Sequence, residues 1–261
     1  MGVLNNFSLK GKTGIVTGGA GIYGRSIVEG LCEAGAGIII ASRDIEKSKK
    51  FAKEYKKKKY KIYPYQLDLS VNNSILNFTA EIAKDFKKLD FLVNNSVLRS
   101  MWRLDDDIAK WEQSMAVNAT GTFSLTREVA NLMIRRKVKG SILNIASIQG
   151  IVGPDLSLYE GTPMEGILPP DYFFHKAGLV NLTKYFAAQY GKYGIRVNSI
   201  APGGFFNNQD KTFVTRYCKR TFLNRMADIN DIKGAIVFLV SDASGYVTGT
   251  NLMVDGGYTA K

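Results

Sequence analysis

The sequence predicts a single α/β domain, built as a doubly wound parallel sheet of about seven strands with helices on both of its faces. Two observations predict this fold. Apolar segments of strand length alternate with helical segments along the whole chain, residues 1–261, which is the order that builds parallel sheets. The strand segments are apolar in continuous runs, as in strands that are covered on both faces. No internal repeat, low-complexity tract or linker divides the chain.

The predicted strands share one pattern, an apolar run that ends in glycine or in polar residues. The first, TGIVTGG, ends in glycines, the second ends in Ser42 and Arg43, and the third leaves Asp68 at its exit. In chain order the strands are predicted at 13–19, 37–43, 61–70, 89–96, 141–147, 195–204 and 250–257. Ligands of such sheets bind beyond the carboxyl ends of the strands, so these ends carry the candidate site.

Helices are predicted between the strands from the spacing of their apolar residues. The first helix ends at Gly35, and the second is rich in lysine. In chain order the helices are predicted at 25–36, 46–61 with its exit loop, 71–87, 117–137, 172–190 and 231–241. They alternate with the strands and can cover both faces of the sheet.

The composition narrows the possible chemistry. Of 261 residues, 45% are hydrophobic and 22% are charged, which is typical of a folded protein with a sizeable core. One histidine leaves little for Ser-His-Asp or multi-histidine zinc sites, and Cys32 and Cys218 have no metal-binding spacing. No apolar run approaches the roughly 18 residues of a membrane span, and the N-terminus lacks a secretory pattern. We therefore expect a cytoplasmic protein with reduced thiols, no membrane attachment and no metal site.

The formal net charge of +12 raises the question of nucleic-acid binding. Much of the charge lies in EKSKKFAKEYKKKKYK, residues 46–61. A lysine-rich surface helix with its exit loop explains this run, since no nucleic-acid-binding motif accompanies it and its aromatic residues form no stacking array. Nucleic acid is therefore an unlikely partner, and the minor alternative predicts strongly salt-dependent retention on RNA or DNA.

A glycine-rich turn follows the first strand and opens the first helix. It reads GGAGIYG, and Gly19, Gly21 and Gly24 fit the spacing G-x-G-x-x-G. Glycines let a ligand approach the backbone, and the free amides at a helix N-terminus bind phosphate groups. The strand before, the helix after and a second strand at the expected distance favour a dinucleotide-binding turn. The sheet is therefore expected to be Rossmann-like.

The end of the second strand selects between NAD and NADP. A carboxylate there binds the ribose hydroxyls of NAD, whereas an arginine suits the extra phosphate of NADP. The strand ends in Ser42 and Arg43, and Asp44 comes only afterwards. NADP is favoured, and NAD stays open because Asp44 could turn back toward a ribose.

The segment YFFHK places Tyr172 four residues before Lys176, with His175 between them. On a helix this spacing puts the phenol and the ammonium on one face, whereas His175 points about 100° away from the lysine. Lowering a phenol pKa from about 10 by ~2–3 units needs about 3–4 kcal/mol. One ammonium about 4 Å away supplies roughly that much at an effective dielectric near 20. Tyr172 is therefore a candidate general acid and base, and His175 a packing residue.

With these segments placed, the chain resembles a short-chain dehydrogenase/reductase along almost its whole length. The resemblance rests on several motifs that occur in the family's order. They are TGGAGIYG (17–24), Asp68 after the third strand, VNNS (93–96), VNATG (117–121), NIAS (144–147), YFFHK (172–176), RVNSIAPGG (196–204) and NLMVDGGY (251–258). Together these motifs are far more specific than the glycine turn alone.

The resemblance implies an NAD(P)-dependent oxidoreductase that interconverts an alcohol and a carbonyl. It makes Tyr172 the proton donor and acceptor, and Ser147 the residue that binds the substrate oxygen. Lys176 would lower the tyrosine pKa and bind the cofactor ribose, and Asn118 would hold a water that relays protons. The implied cofactor contacts are Gly18, Gly21, Tyr23, Gly24, Ser42, Arg43, Asp68, Leu69, Asn94, Ser96, Lys176, Pro202 and Gly203.

The chain departs from the family pattern in three places, none of which removes a catalytic group. Ile22 stands where the glycine turn usually has a third glycine, and Gly21 is expected to supply the flexibility one residue earlier. The segment 94–97 reads NNSV instead of Asn-Asn-Ala-Gly, which allows a different backbone path beneath the nicotinamide ribose. FFNN, residues 205–208, replaces a segment that normally contains threonine.

The substrate region is predicted from two segments. An insert at 148–171 separates Ser147 from Tyr172, contains four acidic residues, and is expected to form a wall of the pocket. A mobile substrate segment is expected at about 203–225. The candidate substrate residues are Arg99, Trp102, Arg103, Gln149, Asn207 and Asn208. A polar lining suits a sugar, polyol or sugar acid, and the insert resembles those of gluconate dehydrogenase-like members, although these polar side chains could also solvate a surface flap.

Two further alternatives remain beside the sugar or sugar-acid enzyme. A 3-ketoacyl carrier-protein reductase would use the same catalytic residues and a basic docking patch, for which Arg135, Arg136 and Lys137 are candidates. A non-catalytic dinucleotide-binding regulator is disfavoured by the intact catalytic set. Since members of this family are mostly tetramers or dimers, the resemblance implies a homotetramer that acts on a small molecule.

Overall fold

The computed structural model describes residues 2–260, so Met1 and Lys261, the two ends of the predicted domain, lie outside the described residues. Within 2–260 the chain forms one seven-stranded sheet in the order β3-β2-β1-β4-β5-β6-β7, with every neighbouring pair parallel. The strands are β1 (Thr13–Thr17), β2 (Gly37–Ser42), β3 (Ile62–Gln66), β4 (Phe91–Asn94), β5 (Ser141–Ile145), β6 (Arg196–Pro202) and β7 (Asn251–Val254). The predicted single-domain, doubly wound parallel sheet is confirmed.

Eight α-helices are present among the described residues. They are α1 (Ile22–Glu33), α2 (Ile45–Tyr55), α3 (Asn72–Asp85), α4 (Ile108–Met115), α5 (Thr122–Arg135), α6 (Pro170–Tyr190), α7 (Lys211–Arg220) and α8 (Lys233–Val240). A π-helical turn, Ala116–Gly121, joins α4 to α5. None of the helices within 2–260 has the length and apolar character needed to cross a membrane.

Two of these helices, α4 and α7, were not predicted from the sequence. Each begins at an aspartate that caps its first turn: Asp107 accepts a hydrogen bond from the Ala109 amide at 2.8 Å, and Asp210 accepts from the Thr212 amide at 2.8 Å. Aspartate is a preferred N-cap residue, so the signal was present. The segment predicted as mobile, 203–225, therefore contains a regular helix, α7.

The core lies in two layers, one on each face of the sheet, because successive residues of a strand point to opposite faces. Ile15 of β1 packs with α3, α5 and α6 on one face, and Val16 packs with α1, α2 and α8 on the other. Gly14 leaves room for a neighbouring ring, since a Cβ there would lie 2.1 Å from the Phe91 ring. Continuous apolar strands thus bury both faces.

The strand order changes direction at β1. Val16 pairs with Ile40 of β2 on one side and with Val93 of β4 on the other. The connections from β1 to β2 and from β3 to β4 then run in opposite directions along the sheet, which opens a crevice above the carboxyl ends of β1 and β4. The candidate site lies in this crevice.

Candidate active site

A cavity of about 810 Å³ lies at the carboxyl ends of the strands. The glycine turn after β1 and the ends of β2, β5 and β6 line it, together with residues 95–99 after β4 and parts of the 148–171 insert. It is large enough for a dinucleotide's reacting end and a small substrate, since ligand pockets typically measure about 300–1,000 Å³. The cavity brings residues from distant parts of the chain together.

Ser147, Tyr172 and Lys176 meet in this cavity. Pro170 is the first residue of α6, which places Tyr172 in the first turn and Lys176 one turn later. Ser147 follows β5, lines the same cavity and lies close enough to the Tyr172 phenol to favour its ionised form. The Lys176 ammonium is buried, donates to the Ile145 carbonyl at 2.6 Å, and lies 5.5 Å from the centroid of the Tyr172 ring. The predicted phenol and ammonium therefore share one face of the helix.

A second cation, Arg99, also acts on Tyr172. Its guanidinium carbon lies 4.4 Å from the Tyr172 ring centroid, where its charge favours the phenolate. From the sequence, Arg99 was expected only as a substrate contact, because a loop residue between β4 and α4 has no periodicity that indicates where it points. The phenol is thus surrounded by two cations and a serine.

These neighbours make the phenol more acidic than it is in solution. Burial alone would raise the pKa of Tyr172, but Lys176 and Arg99, with hydrogen bonds from Ser147 and Arg99, outweigh it and hold the pKa below its ordinary value of 10.0. Burial also lowers the pKa of Lys176; the Tyr172 phenolate opposes this effect and Arg99 adds to it. The arrangement stabilises the phenolate relative to that of a phenol in solution, which favours proton exchange at the phenol oxygen.

Asn118 lies in the π-helical turn and not in the large cavity. Its side-chain oxygen accepts from the Leu98 amide at 2.8 Å, and its nitrogen donates to the Leu98 carbonyl at 2.7 Å. A second cavity of about 10 Å³ lies between Asn118, Lys176 and His175, which is close to the smallest space that holds one water. Asn118 thus fixes the loop that carries Arg99. It also borders a small space next to Lys176 that can hold one water molecule.

His175 packs inside the protein, one residue before Lys176. Its Nε2 lies 3.0 Å from the Ser114 hydroxyl, and its ring is 6.4 Å from that of Trp111. Burial lowers the pKa of His175, Asp171 opposes that effect, and Lys176 adds to it. The histidine is outside the lining of the large cavity.

The glycine turn depends on two of its glycines. Gly18 has a φ of +64°, a left-handed conformation that favours glycine. A Cβ on Gly24 would lie 2.2 Å from the Gly18 carbonyl oxygen. Gly21, the N-cap of α1, has a φ of −77°, which any residue adopts. The expectation that Gly21 compensates for Ile22 through its flexibility is therefore wrong: the unusual conformation lies at Gly18.

The end of β2 presents two cations and one carboxylate to the cavity, which Arg43, Asp44 and Lys47 all line. The Asp44 carboxylate caps α2, because its Oδ1 accepts from the Lys47 amide at 2.9 Å. None of the hydrogen bonds or ion pairs found among residues 2–260 engages the Arg43 guanidinium. Asp68, whose pKa is lowered chiefly by the Ser70 hydroxyl, completes this end of the cavity.

Besides Asn118, three of the predicted cofactor and substrate residues lie outside the lining of the large cavity. The Asn94 side chain points into the core, where its nitrogen donates to Thr126 at 2.9 Å and to Asn144 at 2.8 Å. Asn95 lines the cavity instead, and its nitrogen donates to the Thr17 carbonyl at 2.9 Å. Arg103 and Asn208 are also outside the cavity lining. The remaining predicted cofactor and substrate residues line it: Gly18, Gly21, Tyr23, Gly24, Ser42, Arg43, Asp68, Leu69, Ser96, Lys176, Pro202, Gly203, Arg99, Trp102, Gln149 and Asn207.

The 148–171 insert packs against α7 and covers one side of the cavity. Asp155 pairs with Arg220 at 2.7 Å, and Arg216 donates to the Ser157 carbonyl at 2.9 Å. Beneath these contacts lies a small apolar cluster that includes Leu158 and Phe213. The acidic residues of the insert are outside the cavity lining, and the wall that the insert presents is mainly apolar: Ile148, Leu158, Met164, Ile167 and Leu168.

Comparison with known proteins agrees with this geometry. A family model described as enoyl-(acyl carrier protein) reductase matches residues 18–259. The 2-dehydro-3-deoxy-D-gluconate 5-dehydrogenase of Bacillus subtilis is 35% identical, with 100% of each chain covered. The 3-oxoacyl-[acyl-carrier-protein] reductase of Aquifex aeolicus is 31% identical, over 95% of this chain and 98% of its own.

A solved structure is similarly close. The crystal structure of a gluconate 5-dehydrogenase from Burkholderia cenocepacia, in complex with NADP and tartrate, has a TM-score of 0.89 and 31% identity, with 100% of each chain covered. The matched sheet, the full-length coverage and the grouping of Ser147, Tyr172 and Lys176 lead to one conclusion. The chain belongs to the short-chain dehydrogenase/reductase family, whose members are NAD(P)-dependent oxidoreductases that interconvert alcohols and carbonyls.

Proposed function

We propose that this enzyme is an NADP-dependent dehydrogenase that interconverts a secondary alcohol and a ketone of a sugar acid. The observation that carries the proposal is the Tyr172 phenol between Lys176 and Arg99 in the 810 Å³ cavity. Arg99 supplies a cation beside the reacting position, which suits a carboxylate on the substrate. The gluconate-related relatives support the same substrate class.

Proton transfer is the task of Tyr172. In ketone reduction the phenol gives its proton to the substrate oxygen, and in alcohol oxidation the phenolate accepts it. Ser147 hydrogen-bonds the same oxygen and stabilises the charge that develops there. Lys176 and the small cavity at Asn118 would return the proton to solvent. When bound, the cofactor would supply the hydride as NADPH in ketone reduction and would accept it as NADP⁺ in alcohol oxidation.

The residues of the cavity fit NADP. The N-terminus of α1 and the glycine turn present backbone amides to a pyrophosphate, and Lys176 lies where it can reach a ribose. Arg43 and Lys47 would hold the additional phosphate, because both line the cavity and Asp44 is engaged as a helix cap. NADP is therefore proposed as the preferred cofactor over NAD.

Replacing Arg43 with alanine tests this choice. We expect affinity for NADP to fall about tenfold, because one charge-assisted hydrogen bond contributes about 1.5 kcal/mol or more, while affinity for NAD stays nearly unchanged. Fluorescence titration with each cofactor measures both values. Lys49→Ala is the matched control, since Lys49 belongs to α2, pairs with Glu46 at 2.7 Å and lies outside the cavity lining. Equal losses for the two cofactors would contradict the assignment.

The two segments around the cavity are proposed to close over the substrate. The 148–171 insert would form the outer wall, and the 203–225 segment would move with it, because the Asp155–Arg220 and Arg216–Ser157 contacts join them. Arg99, Gln149 and Asn207 are the polar groups proposed to bind the substrate.

A panel of substrates assayed through nicotinamide absorbance tests the proposed function. The panel contains sugar acids, neutral sugars and polyols, each with NADP and with NAD. Turnover of sugar acids with NADP supports the proposal, and turnover of neutral sugars alone would overturn the assignment of a carboxylate to Arg99. Initial rates of alcohol oxidation and of ketone reduction, measured side by side, also show which direction the enzyme favours.

A carrier-protein reductase is the second candidate, because the insert's wall is mainly apolar and one relative has that activity. One of the three basic residues predicted to form the docking patch, Arg136, is occupied by contacts within the chain. Arg136 is engaged at the end of α3, where it donates to the carbonyls of Ala83 and Phe86. Reduction of an acetoacetyl thioester, with no turnover of sugar acids, would favour this candidate.

We also propose that the enzyme is a cytoplasmic homotetramer, as the family resemblance implies. Exposed apolar side chains such as Tyr246 are consistent with surfaces that pair in an assembly. Light scattering would then give a mass four times that of the 28.8 kDa chain, and a monomer would contradict it.

A further inference from the structure

A buried carboxyl group lies next to the proposed acid and base. Asp171 belongs to the first turn of α6, directly before Tyr172, and none of its surface is exposed. One oxygen, Oδ2, accepts from the backbone amides of Ser100 at 3.3 Å and Met101 at 3.4 Å. The other, Oδ1, has no hydrogen-bond partner among the described residues. Burying a carboxyl group that has one unpaired oxygen lowers the stability of the fold. Its presence here therefore points to a role other than stabilisation.

The two amides belong to the loop that carries Arg99. The same loop is held on its other side, where Asn118 bonds both the amide and the carbonyl of Leu98. The Arg99 side chain has no ion pair with a carboxylate among those found in residues 2–260. Its position over Tyr172 therefore depends on where the backbone at Leu98 and Ser100 is held.

We propose that Asp171 is a positioning residue, which holds the Ser100 and Met101 amides so that the Arg99 guanidinium stays on the Tyr172 ring. Two successive residues of α6 contact two successive residues of the loop. Asp171 accepts from the Ser100 amide, and Tyr172 contacts Arg99. This inference rests on the proposed function, since it assigns a role in setting the acidity of the proposed acid and base.

The charges around both groups define the expected effect. Tyr172 faces Lys176 on α6, Arg99 on the loop, Ser147 after β5 and the Tyr23 phenol on α1. Asp171 faces His175, one turn along α6. If Arg99 moves away, Lys176 and Ser147 are left to oppose the burial of the phenol, and the pKa of Tyr172 rises. Alcohol oxidation requires the phenolate, so its rate would then rise only at higher pH.

The test is the pH dependence of kcat/KM for alcohol oxidation in Asp171→Ala, Arg99→Ala and the double variant. We expect Asp171→Ala to lower kcat/KM about a hundredfold through misplacement of Arg99. The rising limb should move to higher pH by about one unit or more, as in Arg99→Ala. In the Arg99→Ala background, Asp171→Ala should change little further, because the two substitutions remove the same interaction.

Asp171→Asn is the matched control. It keeps an oxygen that can accept from both amides, so it should restore the pH profile of the original enzyme. If Asp171→Ala does not fold, Asp171→Ser carries the same expectation, because serine is tolerated at helix N-termini and its shorter side chain does not reach the loop. An unshifted pH profile in the Ala or Ser variant, or losses that add to those of Arg99→Ala, would overturn the proposal.

The outcomes separate this inference from the function on which it rests. A shifted profile in Arg99→Ala with an unshifted one in Asp171→Ala would remove only the positioning role. An unshifted profile in Arg99→Ala, together with an active Tyr172→Phe variant, would instead remove the proposed acid and base.

Discussion

Replacement of Tyr172 with phenylalanine should lower kcat by about 10²–10⁴, the usual contribution of a positioned general acid or base, while NADP binds as before. The substitution removes one oxygen from the cavity and leaves the ring that Arg99 contacts at 4.4 Å. Because Lys176 keeps its bond to the Ile145 carbonyl, the cofactor end of the site should stay intact. Single-turnover assays and a cofactor titration measure the two quantities separately.

Tyr185→Phe is the control for this substitution. Tyr185 lies on the same helix, α6, and is mostly exposed, outside the cavity lining. Its variant should keep full activity. Should Tyr172→Phe also keep its turnover, the phenol is not the proton carrier. If the variant lost turnover yet supported normal function in cells, the chain would instead be a dinucleotide-binding regulator.

Periodic features of the sequence predicted the features of the site that depend on regular structure. The seven strands followed from continuous apolar runs, and the facing of Tyr172 and Lys176 followed from a spacing of four residues on a helix. The tight turn between β1 and α1 followed from its glycines. In each case the local sequence alone determines the backbone conformation, and at Tyr172 and Lys176 it also determines the direction of the side chains.

Features that depend on loop paths were not predictable in the same way. Arg99 lies on a loop whose course is set by distant residues, Asn118 and Asp171, so nothing in its own neighbourhood indicates that it contacts Tyr172. Asn94 is buried by Thr126 and Asn144 from other segments. The polar insert was expected to face the substrate with its acidic residues, but Asp155 turns to Arg220. Tertiary contacts decide these directions.

Gly24 is the residue of the glycine turn after β1 that is least able to accept a side chain. A Cβ at this position would lie 2.2 Å from the Gly18 carbonyl oxygen and 2.8 Å from two backbone atoms of Gly19. Real Cβ atoms do not approach so closely, and backbone cannot rotate away as a flexible side chain can. Gly24→Ala should therefore displace the turn from the N-terminus of α1, whose amides are proposed to bind the phosphate groups of NADP. We expect affinity for NADP to fall on the order of a hundredfold or more, at an overpacking cost of about 1–3 kcal/mol in the free energy of unfolding.

Gly21→Ala is the matched control in the same turn, because its Cβ would meet only the Gly18 oxygen at 3.2 Å and its φ of −77° is open to alanine. Calorimetric titration with NADP and thermal unfolding should be measured on both variants. If the turn acts through its close backbone packing, Gly24→Ala loses NADP while it remains folded, and Gly21→Ala loses affinity only a few-fold. Unchanged NADP affinity in Gly24→Ala would mean that the turn tolerates displacement. Gly18 is the only residue of this turn in a left-handed conformation. The comparison of Gly24→Ala with Gly21→Ala therefore shows whether close contact between backbone segments, and not backbone flexibility, requires glycine at position 24.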